Sequence, residues 1–296
     1  MSALAVTPEQ PAPVTERVDL LSGGRRRSYR VVRPADVRPG AAAMVVLHGS
    51  LMDGDSFRQF SGGTFDDLAQ RHGVVVAYPD AIEGLWVDGR ISSPAKDRGD
   101  GVDDVSFVSD VIDDLVARTG VDRARTYVTG FSNGGMLAST LAFERPDLAH
   151  GVALIGATLP VADNLDLDDR EVPVPVLMVH GTHDPVVPYA GGVATLFGQA
   201  RGENLSVQDS SSYWVWRNGI SSSATETSLA DDGATSVQHL SWRQDGRPPV
   251  SLLSVHGGGH SVPNLRVRAF RKMGATNRAL DTGEAAWRFF SAAAEA

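Results

Sequence analysis

The sequence predicts an α/β fold in which a mostly parallel central sheet is covered by helices on both faces. The first observation is a series of short, continuous apolar runs, which are typical of strands buried on both faces. They occupy residues 43–47, 74–78, 126–128, 152–155, 176–179 and 250–253. The second observation is that helical stretches separate several of these runs, as they do in parallel sheets. In such sheets the reactive groups gather at the carboxyl ends of the strands.

Three helical stretches support this prediction. Apolar residues between positions 107 and 116 fall on one helical face. Residues 133–143 have helical composition and are followed by Pro146, which should end the helix because proline lacks the amide hydrogen. A last helix is expected near residues 283–290.

The 296 residues fit one large α/β domain. Residues 1–14 are rich in proline and alanine and predict a flexible tail. Residues 15–296 contain no linker-like stretch and no repeat, so they predict a single catalytic domain. This domain should open with a hairpin, because two strand-like segments within residues 18–32 flank Ser22-Gly23-Gly24.

Composition excludes several classes of function. The formal net charge of −9 repels phosphates, so neither nucleic acid nor an anionic membrane is an expected partner. The absence of cysteine excludes disulfides, thiolate metal sites and a cysteine nucleophile. The first residues, MSALAVTPEQPAPV, lack the features of a signal peptide, and no apolar window is long enough to span a membrane. We therefore expect a cytoplasmic protein, and its oligomeric state stays open.

The strongest chemical motif is a serine between two glycines. Gly130-Phe131-Ser132-Asn133-Gly134 follows the predicted strand at 126–128 and opens a predicted helix. This is the setting of a nucleophile elbow, in which the glycines allow a tight turn that exposes the serine. The backbone N–H of Asn133 would then face a developing oxyanion. The alternative is an ordinary turn between a strand and a helix. We interpret Ser132 as the nucleophile.

A serine nucleophile needs a histidine base, which should follow it in the chain. His260 lies in Gly257-Gly258-Gly259-His260, directly after the apolar run 250–253. The glycines allow that loop to curl back over the serine, which makes His260 the predicted base. His256 precedes the glycines and is interpreted as structural, and His239 lies in a polar stretch without such a setting.

The acid that orients the histidine should follow the preceding core strand. Asp184 satisfies this expectation, because it lies just beyond the run 176–179. It would hold the tautomer of the imidazole and stabilise the imidazolium. The alternative is a turn aspartate, which the following Pro185 favours. Other aspartates lie on a polar, solvated loop and are weaker candidates: Asp163, Asp166, Asp168 and Asp169.

A second oxyanion donor is expected after an early strand. Leu47-His48-Gly49-Ser50-Leu51 occupies that place, and the backbone N–H of Ser50 is the predicted donor. His48 is interpreted as structural, since it precedes the serine in the chain. Leu51 is a candidate for contact with substrate. Aromatic residues in a predicted helix could form either a substrate wall or part of the core: Tyr213, Trp214 and Trp216.

Four aspartates crowd a glycine-rich stretch and raise the question of calcium. Asp97, Asp100, Asp103 and Asp104 do not have the spacing of an EF-hand loop, so a solvated turn is the favoured interpretation. Nothing in the chain matches a dinucleotide fingerprint, a phosphate-binding loop or a zinc motif. The sequence thus predicts neither a metal nor a cofactor.

Taken in order, these segments resemble the feruloyl esterase and polyhydroxybutyrate-depolymerase-like branch of the α/β hydrolases, carbohydrate esterase family 1 in the wide sense. The resemblance covers nearly the whole chain beyond residue 15. It implies an α/β-hydrolase fold, with Ser132 as nucleophile, Asp184 as acid and His260 as base. It also implies that Trp86 and Asp104 lie near or below the active site, which makes Trp86 a further candidate for substrate contact. The similar segments are LHGS (47–50), YPDAIEGLWVDGR (78–90), VDDVSFVSDVIDDL (102–115), GFSNGGMLA (130–138), VHGTHDPVVPYAGG (179–192), GGGH (257–260) and TNRALDTGEAAWRFF (276–290).

Two departures from this family bear on the substrate. Many relatives have Trp-Pro after the histidine, whereas this chain has Ser261-Val262-Pro263. Exported relatives often carry cysteine where this chain has Ser50. We therefore expect a small or aromatic ester as the substrate, and not an extracellular polymer.

The predicted function is hydrolysis of a carboxylic ester through an acyl-enzyme intermediate. One alternative keeps the same three residues but passes the acyl group to another acceptor, as in a biosynthetic acyltransferase or a cyclising thioesterase. Partition of the acyl-enzyme between water and an added alcohol or amine distinguishes the two. A binding protein without turnover is the third possibility, and labelling of the active site would test it.

Overall fold

The computed structural model describes residues 11–96 and 101–295. Ten strands form one sheet in the order β1-β2-β4-β3-β5-β6-β7-β12-β11-β10, and β8 and β9 form a separate hairpin. The strands are β1 (Val14–Ser22), β2 (Arg25–Arg33), β3 (Ala43–Leu47), β4 (Val75–Pro79), β5 (Thr126–Phe131), β6 (Val152–Ile155), β7 (Val176–Gly181), β8 (Gly192–Leu196), β9 (Gln199–Asn204), β10 (Thr225–Asp231), β11 (Ser236–Gln244) and β12 (Arg247–His256). The α-helices are α1 (Gly54–Phe60), α2 (Asp67–His72), α3 (Asp104–Thr119), α4 (Asn133–Glu144), α5 (Val207–Arg217) and α6 (Thr282–Ala294).

The centre of the sheet is parallel and its two edges are antiparallel. Strands β4, β3, β5, β6, β7 and β12 run in the same direction. The hairpin β1–β2 extends one edge, and β11 and β10 extend the other. All six predicted strands belong to the parallel centre. The carboxyl ends of these strands therefore meet at one edge of the fold.

The core lies on both faces of the sheet because the central strands are buried on both faces. In β3, Ala43, Val45 and Leu47 pack into one apolar cluster, while Met44 and Val46 pack into the other. Apolar residues of α3, α4 and α5 cover the first face. Those of α1, α2 and α6 cover the second. The predicted α/β-hydrolase fold class, with helices on both faces, is confirmed.

The first hairpin turns at Gly23-Gly24, as predicted, and both glycines have positive φ. Strand β1 starts at Val14, so the predicted tail extends one residue too far. The first ten residues of that tail lie outside the described part of the chain.

Two strands of the ten-stranded sheet were not predicted from the sequence. Strand β10 is exposed at almost every position, and β11 is only partly buried, so neither has a continuous apolar run. Their position at the edge of the sheet explains this pattern. Within residues 11–96 and 101–295, no helix is both long and apolar enough to cross a lipid bilayer.

Candidate active site

Three residues singled out in the sequence lie at the carboxyl ends of parallel strands. Ser132 follows β5, Asp184 follows β7 and His260 follows β12. Strands β7 and β12 are neighbours, and only β6 separates β7 from β5. The direction and order of these strands therefore bring residues 52 to 128 positions apart in the chain to one side of the fold.

The turn at Ser132 is sharp and strained. Its backbone has φ of 54° and ψ of −119°, a conformation that L-residues rarely adopt. A Cβ atom on Gly130 would lie 2.1 Å from the oxygen of Gly134. One on Gly134 would lie 2.3 Å from the oxygen of Leu47. Both glycines are thus required by close approach of backbone, as the interpretation of a nucleophile elbow demands.

A short hydrogen bond joins the histidine to the acid. The Nδ1 atom of His260 lies 2.7 Å from Oδ2 of Asp184. The other carboxylate oxygen of Asp184 accepts hydrogen bonds from the N–H groups of Val186 and Val187, each at 2.8 Å. Burial opposes the charge of Asp184, but the charge of His260 and these hydrogen bonds outweigh it and lower the pKa of the carboxyl. An ionised Asp184 then accepts the Nδ1 proton, which leaves Nε2 as the basic atom of His260.

The loop that carries His260 is held from two sides. The N–H of His260 donates to the oxygen of Met273 at 2.6 Å, and the N–H of Gly259 donates to the oxygen of Ala275 at 2.8 Å. The ring of Phe131, next to Ser132, lies 4.7 Å from the His260 ring between centroids. These contacts fix the imidazole beside the serine turn.

Two residues beside Ser132 have a backbone N–H group that is not used in secondary structure. Ser50 and Asn133 both line a cavity with Ser132. Asn133 is the first residue of α4, and neither its N–H nor that of Ser50 forms a hydrogen bond with another described residue. Two such donors, reinforced by a helix N-terminus, are suited to stabilise an oxyanion. The cavity has a volume of about 20 Å³.

Trp86 supports the site from below and does not contact substrate. Its indole N–H donates to the oxygen of His48 at 2.9 Å, and its backbone N–H donates to the side chain of Asn133 at 2.8 Å. The amide of Asn133 donates in turn to Asp88 at 2.7 Å. The side chain of Trp86 is fully buried and leaves no surface for a ligand, contrary to the expectation that it contacts substrate.

His48 has a structural role, as predicted. Its Nε2 accepts the N–H of Ala81 at 3.0 Å, so its Nδ1 carries the proton that is donated to the oxygen of Gly49 at 2.8 Å. Both ring nitrogens are therefore used to hold the loop that presents Ser50.

Two of the other aromatic candidates are part of the core or its margin. Trp214 is fully buried and stacks on Phe143 with ring centroids 5.0 Å apart. Tyr213 packs against the same ring and its hydroxyl donates to Asp169. Phe143 lies near the far end of α4 from Ser132, so Tyr213 and Trp214 do not form a substrate wall and that expectation is wrong. Leu51, in contrast, is 60% exposed beside Ser50.

The two described aspartates of the aspartate-rich stretch differ: Asp103 is exposed, as in a solvated turn, and Asp104 is not. Asp104 is buried and accepts a hydrogen bond from Arg27 at 2.7 Å and another from the N–H of Val87 at 2.7 Å. Asp103 caps α3. The other two aspartates, Asp97 and Asp100, lie outside the described residues. Among residues 11–96 and 101–295, no group of three or more acidic or histidine side chains could hold a metal ion.

The rival acids are on the surface. Asp163, Asp166 and Asp168 are exposed. Asp169 is paired with Arg217. None of them contacts His260 in the described structure, whereas Asp184 does.

The sequence did not reveal the hairpin β8–β9 or the arginines beside Ser132. Ala194 and Leu196 of β8 and Arg201 of β9 line the cavity together with Arg90. The N–H of Thr195 donates to the oxygen of Val186 at 2.9 Å, which attaches the hairpin to the loop of Asp184. The signal in the sequence is weak, since β8 and β9 are short and mostly exposed or half-buried.

Comparison with known proteins identifies the family. Residues 84–199 match the Phospholipase/Carboxylesterase family. The chain is also similar to NocK of Nocardia uniformis subsp. tsuyamanensis, which is named as an esterase. The two are 30% identical in an alignment of 311 positions, which covers 96% of this chain and 87% of NocK. The chain belongs to the α/β-hydrolase esterases. It is therefore a carboxylic ester hydrolase.

Other relatives of this esterase share shorter parts. Feruloyl esterase B of Piromyces equi is 25% identical over 75% of the chain, which spans 40% of that protein. The bifunctional acetylxylan esterase/xylanase XynS20E of Neocallimastix patriciarum is 30% identical over 56% of the chain, which spans 22% of that protein. The solved acetyl xylan esterase from Aspergillus awamori superimposes with a TM-score of 0.59 over 93% of this chain and 99% of its own, at 14% identity. That likeness supports the fold alone.

Two buried histidines predict that this esterase loses stability in mild acid. Burial lowers the pKa of His48 and of His180 below the ordinary value of 6.5. Below pH 6.5 the unfolded chain binds protons that the folded chain excludes, so the free energy of unfolding should fall as the pH decreases. The slope of the free energy of unfolding against pH should be up to about 1.4 kcal/mol per pH unit for each histidine. Urea denaturation between pH 5 and pH 7.5 measures it.

A matched pair of variants tests the cause. His48→Gln should reduce the slope between pH 5 and pH 6.5. The ring of His256 is exposed at the end of β12, so His256→Gln should leave the slope unchanged. A wild-type stability that is flat over this range would contradict the prediction.

Proposed function

We propose that the protein hydrolyses small carboxylic esters through an acyl-enzyme intermediate, with Ser132 as nucleophile, His260 as general base and Asp184 as the acid behind it. The observation that carries this proposal is the 2.7 Å hydrogen bond between His260 and Asp184. It joins two loops at the carboxyl ends of neighbouring strands, on the same side of the fold as the strained turn at Ser132.

The first half of the reaction forms the acyl-enzyme. The Oγ atom of Ser132 attacks the ester carbonyl while Nε2 of His260 takes its proton. The carbonyl oxygen becomes an oxyanion and accepts hydrogen bonds from the N–H groups of Ser50 and Asn133. As the tetrahedral intermediate collapses, the carbon–oxygen bond to the alcohol breaks. His260 gives its proton to that leaving alcohol.

The second half repeats these steps with water. His260 removes a proton from water as the oxygen attacks the acyl carbonyl, and the same two N–H groups hold the oxyanion. Collapse releases the carboxylic acid, and the proton on His260 returns to Ser132. Asp184 stays ionised throughout and stabilises the imidazolium in each half.

The dimensions of the cavity favour a small acyl group. A volume of about 20 Å³ is close to the space that one water needs. Its apolar walls include Met136, Val186 and Leu196. Entry of a large acyl chain would require movement of these side chains or of the hairpin β8–β9.

A substrate panel tests the proposal. We expect the highest kcat/KM with acetyl and other short esters of soluble alcohols, because they require the least movement of the cavity walls. Feruloyl esters belong in the panel because a relative is named as a feruloyl esterase. Product release from polyhydroxybutyrate films and from feruloylated polysaccharide should be slower than turnover of a soluble aryl ester. Efficient release from either polymer would contradict the preference for small substrates.

A further inference from the structure

Two arginines lie beside the proposed nucleophile. The cavity that contains Ser132 is also lined by Arg90 and Arg201. Arg201 lines it from β9 of the hairpin β8–β9. Among the described residues that line the cavity, there is no acidic side chain. The charge of the cavity therefore depends on whether a carboxylate outside the cavity pairs with each arginine.

The charge of Arg90 is neutralised. Its Nε and Nη2 atoms donate to the two oxygens of Asp88 at 2.9 and 2.6 Å, which is the bidentate geometry of a strong ion pair. Its third donor, Nη1, is bonded to the oxygen of Arg201 at 2.9 Å. The ion pair of Arg90 with Asp88 thus adds no net charge to the cavity. Arg90 also anchors the hairpin β8–β9.

The charge of Arg201 is not neutralised. Its Nε atom is buried and has no hydrogen-bond partner. Its Nη2 donates to the neutral side chain of Gln199 at 3.1 Å. No carboxylate forms an ion pair with it among the described residues. A buried guanidinium N–H without an acceptor costs free energy, and an anionic group on a ligand would remove that cost.

The segment that holds the loop of His260 is also basic. The segment 265–278 contains four arginines and one lysine and no acidic residue. This segment holds the loop of His260 through the backbone bonds of Met273 and Ala275. Three of its exposed side chains form no ion pair with a described residue: Arg268, Arg271 and Lys272. In a chain of net charge −9, such a local positive field would draw an anion towards the site.

We propose that the substrate is a carboxylate-bearing ester and that Arg201 binds its carboxylate. This inference rests on the proposed function and narrows its substrate class. The carboxylate accepts the unpaired N–H of Arg201 while the Ser50 and Asn133 N–H groups receive the oxyanion. It lies in the acyl part or in the alcohol part of the ester, and the experiment separates these two cases.

The experiment compares charged esters with neutral esters of the same shape. Monomethyl succinate and methyl 4-methylpentanoate differ in the acyl part by a carboxylate against an isopropyl group. O-acetylglycolate and isobutyl acetate differ in the same way in the alcohol part. In one pair, kcat/KM should be about ten- to a hundredfold higher for the anionic member, which is the range expected of a hydrogen bond to a charged group. Rising ionic strength should reduce this advantage.

Variants of Arg201 assign the effect. Arg201→Gln should remove the preference for the anionic ester, mainly by raising the KM of that ester. Arg201→Lys should restore part of the preference because it keeps the charge. The matched control is Arg26→Gln, which removes an exposed arginine at the far edge of the sheet and should change neither rate.

Two outcomes would overturn the inference. One is a wild-type enzyme that hydrolyses the neutral member of both pairs as well as the anionic member. The other is an equal loss of kcat/KM for both members of a pair in Arg201→Gln. That result would mean that Arg201 supports the oxyanion or the fold and does not bind a carboxylate. Failure of the proposed function is distinct, because then the wild-type protein would hydrolyse none of the four esters.

Discussion

Ser132→Ala should abolish ester hydrolysis, with a fall in kcat of about 10⁶, the size seen when a serine hydrolase loses its nucleophile. The substitution removes one oxygen from a residue held in a strained turn, and the N–H groups of Ser50 and Asn133 stay in place. The variant should therefore keep its fold and bind substrate without forming an acyl-enzyme. A fluorophosphonate probe should label the wild-type protein once, and mass spectrometry should locate the label on Ser132.

The control for this experiment is an exposed serine on α5. Ser212→Ala should keep full labelling and turnover, since Ser212 lies on the outer face of that helix. Thermal unfolding should be similar for both variants and for the wild type. Stoichiometric labelling of Ser132→Ala, or of a second serine in the wild type, would contradict the assignment of the nucleophile.

The placement of the three proposed catalytic residues could be predicted because each depends on local signals. Ser132, Asp184 and His260 all follow apolar runs that form buried strands. Parallel strands bring such positions to one edge, so no knowledge of distant contacts is needed. The glycines around Ser132 and before His260 add a second local signal, since they permit close approach of backbone.

The roles of the aromatic residues could not be predicted from their type. Tryptophan fills cores and lines substrate sites for the same reason, a large apolar ring with one polar atom. Trp86 and Trp214 are both fully buried, but this depends on contacts with His48 and Phe143 from other parts of the chain. Burial of this kind is decided by tertiary packing.

Contacts of charged residues across long sequence separations were missed because they, too, depend on tertiary packing. Asp104 pairs with Arg27, which lies 77 residues earlier, so its burial is invisible in the local aspartate-rich stretch. Arg201 lines the cavity of Ser132 from β9, which is bonded through its backbone to Arg90. In both cases the charge was evident in the sequence, whereas its surroundings come from distant parts of the chain and were not.

Asp184→Asn should lower kcat by about 10⁴, the loss found when the equivalent acid of a serine protease becomes an amide. In the wild type, Oδ1 of Asp184 accepts the N–H groups of Val186 and Val187, and Oδ2 faces Nδ1 of His260. The side-chain oxygen of an asparagine would still accept hydrogen bonds from these two N–H groups, and its NH₂ group would face Nδ1 of His260. Nδ1 must then accept a hydrogen bond, which leaves the proton on Nε2. That tautomer cannot take the proton of Ser132.

Steady-state kinetics with a short soluble ester measures this loss, and KM should change much less than kcat because Asp184 does not touch the substrate. The matched control is Asp168→Asn, which removes an exposed carboxylate from the loop of rival acids and should leave kcat within about twofold.

A pH series gives a second readout. The lowered pKa of Asp184 keeps its carboxyl ionised in mild acid, so protonation of Asp184 should not reduce the wild-type activity there. A change in kcat of less than about tenfold in Asp184→Asn would show that another carboxylate orients His260.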